Sequence, residues 1–245
     1  MSSFIVGRDL NKWDRVGGYV TVMLELRNIS KSFQEDLSEK HLFQHVCVNI
    51  TDGHRICCTG ESGQGKTSLL KIIARLDVPN NGQLYWHNVE ASRCDVMLWR
   101  QQIHYVAQQA VMLPGTVKDN LQLPSLLHGR VFQQDKAQQL MNQCGLQQLD
   151  WQTSAESLSG GEKQRIALIR GLLLEPKILL LDEVTGSLDT HNRDLVESLL
   201  LQWIEETNGS FVWISHDPNQ VKRVSSEQWY FAEHHVTICR EETSA

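Results

Sequence analysis

The segment Gly60-Glu61-Ser62-Gly63-Gln64-Gly65-Lys66-Thr67 constrains the fold of this chain more than any other stretch. It fits G-x-x-x-x-G-K-[ST], and the chemistry explains the spacing. Backbone N–H groups must turn inward around a polyphosphate, and glycines permit that close approach. The following helix must offer its N-terminal dipole to the same anion. The loop therefore has to run from a strand into a helix. The flanks agree. Arg55 to Thr59 reads as a short strand, and Ser68 to Arg75 carries Leu69, Leu70, Ile72 and Ile73 as a helix packed on one face. In such a loop Lys66 reaches the β and γ phosphates, and the Thr67 hydroxyl can ligate Mg²⁺. Gly60, Glu61, Ser62, Gly63, Gln64, Gly65, Lys66, Thr67 and Ser68 are the candidate phosphate-binding residues.

Further along, Ile178 to Leu181 is a continuous apolar run, as expected of a strand buried on both faces. It ends in Asp182-Glu183. By itself this pattern also describes a solvated strand end. Downstream of a phosphate loop it gains chemistry: Asp182 would hold Mg²⁺ through its water shell, and Glu183 would orient and polarise an attacking water.

The remaining texture divides the chain. Residues 1–22 read as an N-terminal extension, either a loose tail or a segment preceding a physiological start at Met23. Met23 to Ile29 alternates apolar and polar residues as a strand, and His41 to Ile50 reads as another. Pro79-Asn80-Asn81-Gly82 is a turn before a strand at Gln83 to Trp86. Residues 23–94 thus form a first part of the core with a β subdomain. From Asp95 to Leu158 Gln, Leu and Met dominate, and Leu121 to Gln148 reads as helices interrupted near Pro124 and Gly129. Residues 95–160 are assigned to an inserted helical subdomain. The core resumes over 161–245, with a helix from Glu162 to Leu174 opening after a double glycine. Phe211 to Ile214 follows as a strand, and Trp229 to Phe231 with Val236 to Cys239 form a terminal pair. Alternating strands and helices indicate an α/β fold.

Bulk properties exclude some functions. The net charge of −6 argues against a primary nucleic-acid binder. No apolar run approaches the roughly 20 residues needed to span a bilayer, so direct membrane insertion is not expected. The N-terminus lacks a signal-peptide pattern, which points to the cytosol. The six cysteines form no CxxC pair and read as reduced core thiols. Cys57 and Cys58, neighbours in a strand, should point to opposite faces. His234 and His235 read as a surface turn rather than a metal site.

Between the phosphate loop and the Asp-Glu strand lies Leu158-Ser159-Gly160-Gly161-Glu162-Lys163-Gln164-Arg165. In that order the motifs resemble the ATP-binding cassette (ABC) ATPases, over about Leu24 to Val236. The resemblance implies a P-loop NTPase core with an N-terminal antiparallel β subdomain and an inserted helical subdomain. It implies ATP and Mg²⁺ as ligands. It also assigns further residues. Gln108 matches the Q-loop glutamine, which senses the γ-phosphate and Mg²⁺, although Gln109 follows directly and the register stays open by one. Asp189, in Thr185-Gly186-Ser187-Leu188-Asp189, matches the D-loop, with Gly186-Ser187 in place of the usual Ser-Ala. His216, in Ser215-His216-Asp217, matches the switch histidine that holds Glu183 and the water. Phe33 takes the position that stacks on adenine; a core phenylalanine is the alternative there. Ser159, Gly160, Gly161 and Glu162 would cap the ATP held by a second copy, making a homodimer.

Within the family the leading expectation is the energy-coupling subunit of a transporter, peripheral on the cytoplasmic face of the membrane. Its multi-span permease would be a separate protein. The rival is a soluble assembly ATPase such as those of iron–sulfur cluster biogenesis. Leu98 to Gln108 leading into Leu113 to Leu121 is similar to the bacterial ATP-binding subunits of FetB-type permeases, which are associated with iron export.

Overall fold

The computed structural model describes residues 22–35 and 38–240. Apart from Val22, the expected N-terminal extension lies outside the described residues. Two sheets build the molecule. The first is antiparallel, with order β2-β1-β4-β5, from β1 (Val22–Glu35), β2 (Ser38–Thr51), β4 (Asn81–Trp86) and β5 (Val89–Glu90). In β1 Leu24 and Leu26 are buried while Glu25 and Arg27 face outward, the period-two pattern of a half-buried strand.

The second sheet has order β10-β9-β3-β8-β7-β6. Its strands are β3 (Arg55–Gly60), β6 (Ile103–Val106), β7 (Ile178–Asp182), β8 (Ser210–Ile214), β9 (Glu227–Ala232) and β10 (His235–Arg240). All ladders are parallel except β9–β10, the hairpin expected at the terminus. Every residue of β7 and β8 is buried, as befits central parallel strands covered on both faces.

One face of this sheet packs on α1 (Lys66–Ile73) and the antiparallel sheet, through Ile56, Cys58, Leu69, Ile73, Leu180 and Ile214. The other packs on the helices that follow Thr116, through Cys57, Leu179, Leu181, Phe211 and Trp213. Cys57 and Cys58 enter different cores, as alternation along β3 requires. Cys47 and Cys239 are exposed, so the core reading of the thiols does not extend to them.

The stretch assigned to the helical insert begins otherwise than its composition suggests. It opens with α2 (Val96–Gln102), capped by the Asp95 side chain, and with β6, the outer strand of the core sheet. The helices proper are α3 (Val117–Leu127) and α4 (Gln134–Gln143). Pro124 lies inside α3 instead of interrupting it. Its ring removes one hydrogen bond near the helix end. The Thr116–Asp119 capping box and the burial of Val117 and Leu121 hold the helix regardless. Next come α5 (Gly160–Leu172), α6 (Thr190–Thr207) and α7 (Pro218–Val224). Helix α5 opens at the first glycine of the pair, not after it, because Ser159 caps it.

Candidate active site

Strands β3, β8 and β7 are neighbours, so the loops at their carboxyl ends lie side by side, where open α/β sheets bind ligands. The phosphate loop leaves β3 at Gly60 and enters α1 at Lys66, with Gly65 as the cap residue at φ 93°. Lys66 is 6% exposed, and its Nζ donates to the carbonyls of Gly60 at 2.8 Å and Glu61 at 2.7 Å. Burial lowers its pKa from the usual lysine value, while Glu183, Cys58 and Asp182 push the other way.

From α1 the Thr67 hydroxyl donates to Asp182 Oδ1 at 3.1 Å. The other oxygen of Asp182 accepts from the Tyr105 hydroxyl at 2.6 Å. Burial raises the Tyr105 pKa, and the bond to Asp182 raises it further, so the phenol stays a donor. Asp182 is 2% exposed, and among the described residues no salt bridge reaches it. A buried carboxylate met by the hydroxyls of Thr67 and Tyr105, with Gln108 bonded to the adjoining Glu183, is a hard oxygen donor set. It fits Mg²⁺.

Glu183 follows β7 with φ 50°, a left-handed conformation that a non-glycine residue holds only under local constraint. Its carboxylate is bracketed. Gln108 Nε2 donates to Oε2 at 2.9 Å, and His216 Nε2 meets Oε1 at 2.9 Å. Of the two adjacent glutamines, Gln108 is the one bonded to Glu183. The predicted residues Lys66, Thr67, Gln108, Asp182, Glu183 and His216 therefore converge at the ends of adjacent strands.

The other predicted residues do not join them. Ser159 caps α5 in a reciprocal box: its hydroxyl accepts from the Glu162 N–H at 3.3 Å, and Glu162 Oε2 accepts from the Ser159 N–H at 2.8 Å. The Ser159 N–H and then the Ser159 hydroxyl, both donating to that carboxylate, hold it below the usual carboxylate range. Asp189 caps α6, accepting from Asn192 N at 2.9 Å. Among the described residues no hydrogen bond links Ser159 to Glu162, or Asp189, to the phosphate loop of the same chain. Phe33 is 41% exposed, not a core residue, and Lys40 Nζ stands 5.6 Å from its ring centroid. His234 lies in the β9–β10 turn at φ 65°.

Sequence reasoning missed three braces. Tyr105 is the first, on β6, where composition suggested helix. Gln164 Nε2 donates to Ala107 O at 2.9 Å and ties α5 to the Gln108 loop. Arg165, 7% exposed, donates to Cys144 O at 2.8 Å and Asn192 Oδ1 at 2.6 Å, joining α5 to α4 and α6.

The family model described as ABC transporter matches residues 43–186. This chain belongs to the ABC transporter family. As a member it is an ATPase that binds ATP with Mg²⁺, the cassette of a transporter. It is 34% identical to the probable iron export ATP-binding protein FetA of Escherichia coli (strain K12), over 81% of this chain and 87% of that one. It is 32% identical to the lipoprotein-releasing system ATP-binding protein LolD of Saccharophagus degradans, over 84% of this chain and 96% of that one. Among solved structures, the ATP-binding cassette MJ0796, a dimer in a post-hydrolysis state bound to ADP and Pi, superposes with a TM-score of 0.81. It is 27% identical and covers 90% of this chain and 99% of that one. Among the described residues no helix of this ABC cassette is long and apolar enough to cross a membrane.

Proposed function

We propose that two copies of this cassette close on two ATP molecules and that the cycle drives a separate multi-span permease on the cytoplasmic face of the membrane. One observation carries the reading: Ser159 to Gly161 open a helix like an anion site, yet make no bond to the phosphate loop of their own chain. In a head-to-tail pair with C2 symmetry they would complete the partner's site. The dimeric form of the MJ0796 cassette supports that pairing.

In each site Phe33 stacks on adenine, its ring face retaining what tyrosine offers apart from the hydroxyl. Gly60 to Ser68 wrap the phosphates, and Lys66 neutralises the β and γ oxygens. Thr67, Asp182 and Gln108 hold Mg²⁺, which supplies charge neutralisation at the phosphoryl group. Glu183 orients the water and takes up its proton, and His216 and Gln108 keep that carboxylate aimed. Ser159, Gly160 and Gly161 meet the γ-phosphate from across the interface. Glu162 acts there through its cap on Ser159, and Asp189 through its cap on α6. Loss of the γ-phosphate removes the cross-interface contacts and opens the pair.

For the permease side, exposed Met97, Leu98, Val111 and Leu113 flank the Gln108 loop, an apolar surface suited to a helix from another protein. For cargo, the resemblance of Leu98 to Leu121 and the likeness to FetA favour iron export, whereas the likeness to LolD is nearly as strong. Affinity purification from detergent-solubilised membranes tests the transporter reading: a multi-span permease should co-purify. Recovery of soluble scaffold proteins alone would establish the assembly-ATPase rival. Cells lacking the chain should retain more iron under iron load; unchanged iron content would remove iron as the cargo.

A further inference from the structure

A buried hydrogen-bond network joins the turn after Glu183 to the loop that carries His216. Its hub is Gln220 on α7, 2% exposed. Gln220 Nε2 donates to Thr185 Oγ1 at 2.9 Å and to Glu197 Oε1 at 2.9 Å. Its Oε1 accepts from Ser215 Oγ at 2.6 Å. Ser215 Oγ accepts in turn from the Asp217 N–H at 3.2 Å. On α6, Glu197 is fixed by Arg223, through Nε at 2.9 Å and Nη2 at 2.8 Å. Thr185, Ser215 and Glu197 are 4%, 5% and 5% exposed, so no solvent substitutes for these partners.

The chemistry selects a carboxamide. The hub must present two N–H donors, to a hydroxyl and a carboxylate, and one acceptor to a second hydroxyl. Among side chains of this length only glutamine does so without charge. Thr185 lies two residues after Glu183, and Ser215 immediately precedes His216. Glu183 and His216 meet on the far side at 2.9 Å. The connections thus close a ring through Glu183, Thr185, Gln220, Ser215 and His216. Inside that ring sits the left-handed backbone of Glu183, at φ 50°. Such a conformation persists where its surroundings over-determine it, and Gln220 is part of that constraint.

We propose that Gln220 is a positioning residue for hydrolysis, holding the Glu183 turn and the His216 loop where their side chains meet. Gln220 is buried and acts through Thr185 and Ser215. The inference rests on reading Glu183 and His216 as the hydrolytic pair.

The test is steady-state ATPase kinetics on the full chain. Thr185→Val removes one hydroxyl and keeps the shape, and Gln220→Met removes the hub. Misplacing a catalytic group by about 1 Å costs on the order of 100-fold, so kcat should fall roughly 10- to 100-fold in each. KM for ATP should stay within about threefold, because the phosphate loop is untouched. Thr185→Ser, which restores the hydroxyl, should return kcat to near the starting value. The double variant Thr185→Val with Gln220→Met should fall no further than the worse single, as for residues acting as one unit. Wild-type kcat in folded Thr185→Val overturns the proposal, as does an equal loss in Thr185→Ser. If Gln220→Met fails to fold, the Thr185 pair decides. Glu183→Gln and His216→Ala are assayed alongside. Turnover surviving in both defeats the underlying reading of the pair, whereas its loss in both with wild-type kcat in Thr185→Val defeats the role of Gln220 alone.

Discussion

Two alanine substitutions in the phosphate loop separate backbone strain from packing. Gly63 and Gly65 both sit at positive φ, 83° and 93°. An L-residue placed there costs about 1–2 kcal/mol from backbone sterics alone. The surroundings differ. A Cβ on Gly63 would meet nothing within 4 Å. A Cβ on Gly65 would lie 2.8 Å from Phe43 Cδ1 and 2.9 Å from Leu42 Cβ. Phe43 is fully buried and packs edge-on against Phe231, so it cannot step aside cheaply. Overpacking of this kind costs about 1–3 kcal/mol. Gly63→Ala should therefore destabilise by about 1–2 kcal/mol, and Gly65→Ala by about 2–5 kcal/mol. The assay is urea unfolding followed by tryptophan fluorescence without nucleotide, which keeps phosphate contacts out of the comparison. At equal slope the midpoint should drop more for Gly65→Ala. Equal midpoints would refute the argument that the loop is wedged against β2 at Gly65.

Other outcomes follow from the braces around the site. Arg165→Met should cost about 2–4 kcal/mol, since it leaves the carbonyl of Cys144 and the amide of Asn192 without a charged donor in a buried place. Thermal unfolding should show a fall in Tm of about 2–4 °C per kcal/mol, and an unchanged Tm would contradict it. His104 packs against Gly171 of α5, and burial, with the nearby charge of Arg170, lowers its pKa from 6.5 to about 4. The unfolded chain then takes up this proton first as pH falls. The contribution is complete above pH 6.5 and is lost between there and about pH 4, amounting to at most ~3 kcal/mol. His104→Leu should flatten the stability profile in that window, and an unchanged slope would contradict the assignment.

Local signals marked the elements that make the site. The glycine loop calls for a strand before it and a helix after it, and the all-apolar run before Asp182 reads as a doubly covered strand. Helix α6 is legible in the sequence: Val196, Leu199, Leu200, Trp203 and Ile204 follow helical spacing, with Asp189 as cap and Asn208 as stop. Strand β6 was harder, because four residues at a sheet edge carry little pattern and the surrounding glutamines suggest helix. The braces were not legible at all. Tyr105 and Asp182 are 77 positions apart, and only the order of the strands brings them together. Gln220 in turn needs Thr185, Glu197 and Ser215 from three different elements. Pro124 reads as a break because its local cost is real, yet capping and burial outweigh it.

In the proposed cycle Ser159 to Gly161 serve the nucleotide of a second chain. Sedimentation of Glu183→Gln with ATP and Mg²⁺ tests this most directly, with Ser159→Arg added in a companion variant. Glu183→Gln should be a dimer with ATP and a monomer with ADP. Ser159→Arg should abolish the dimer while each chain still binds ATP. A Glu183→Gln chain that stays monomeric with ATP, or a dimer indifferent to Ser159→Arg, would contradict that role.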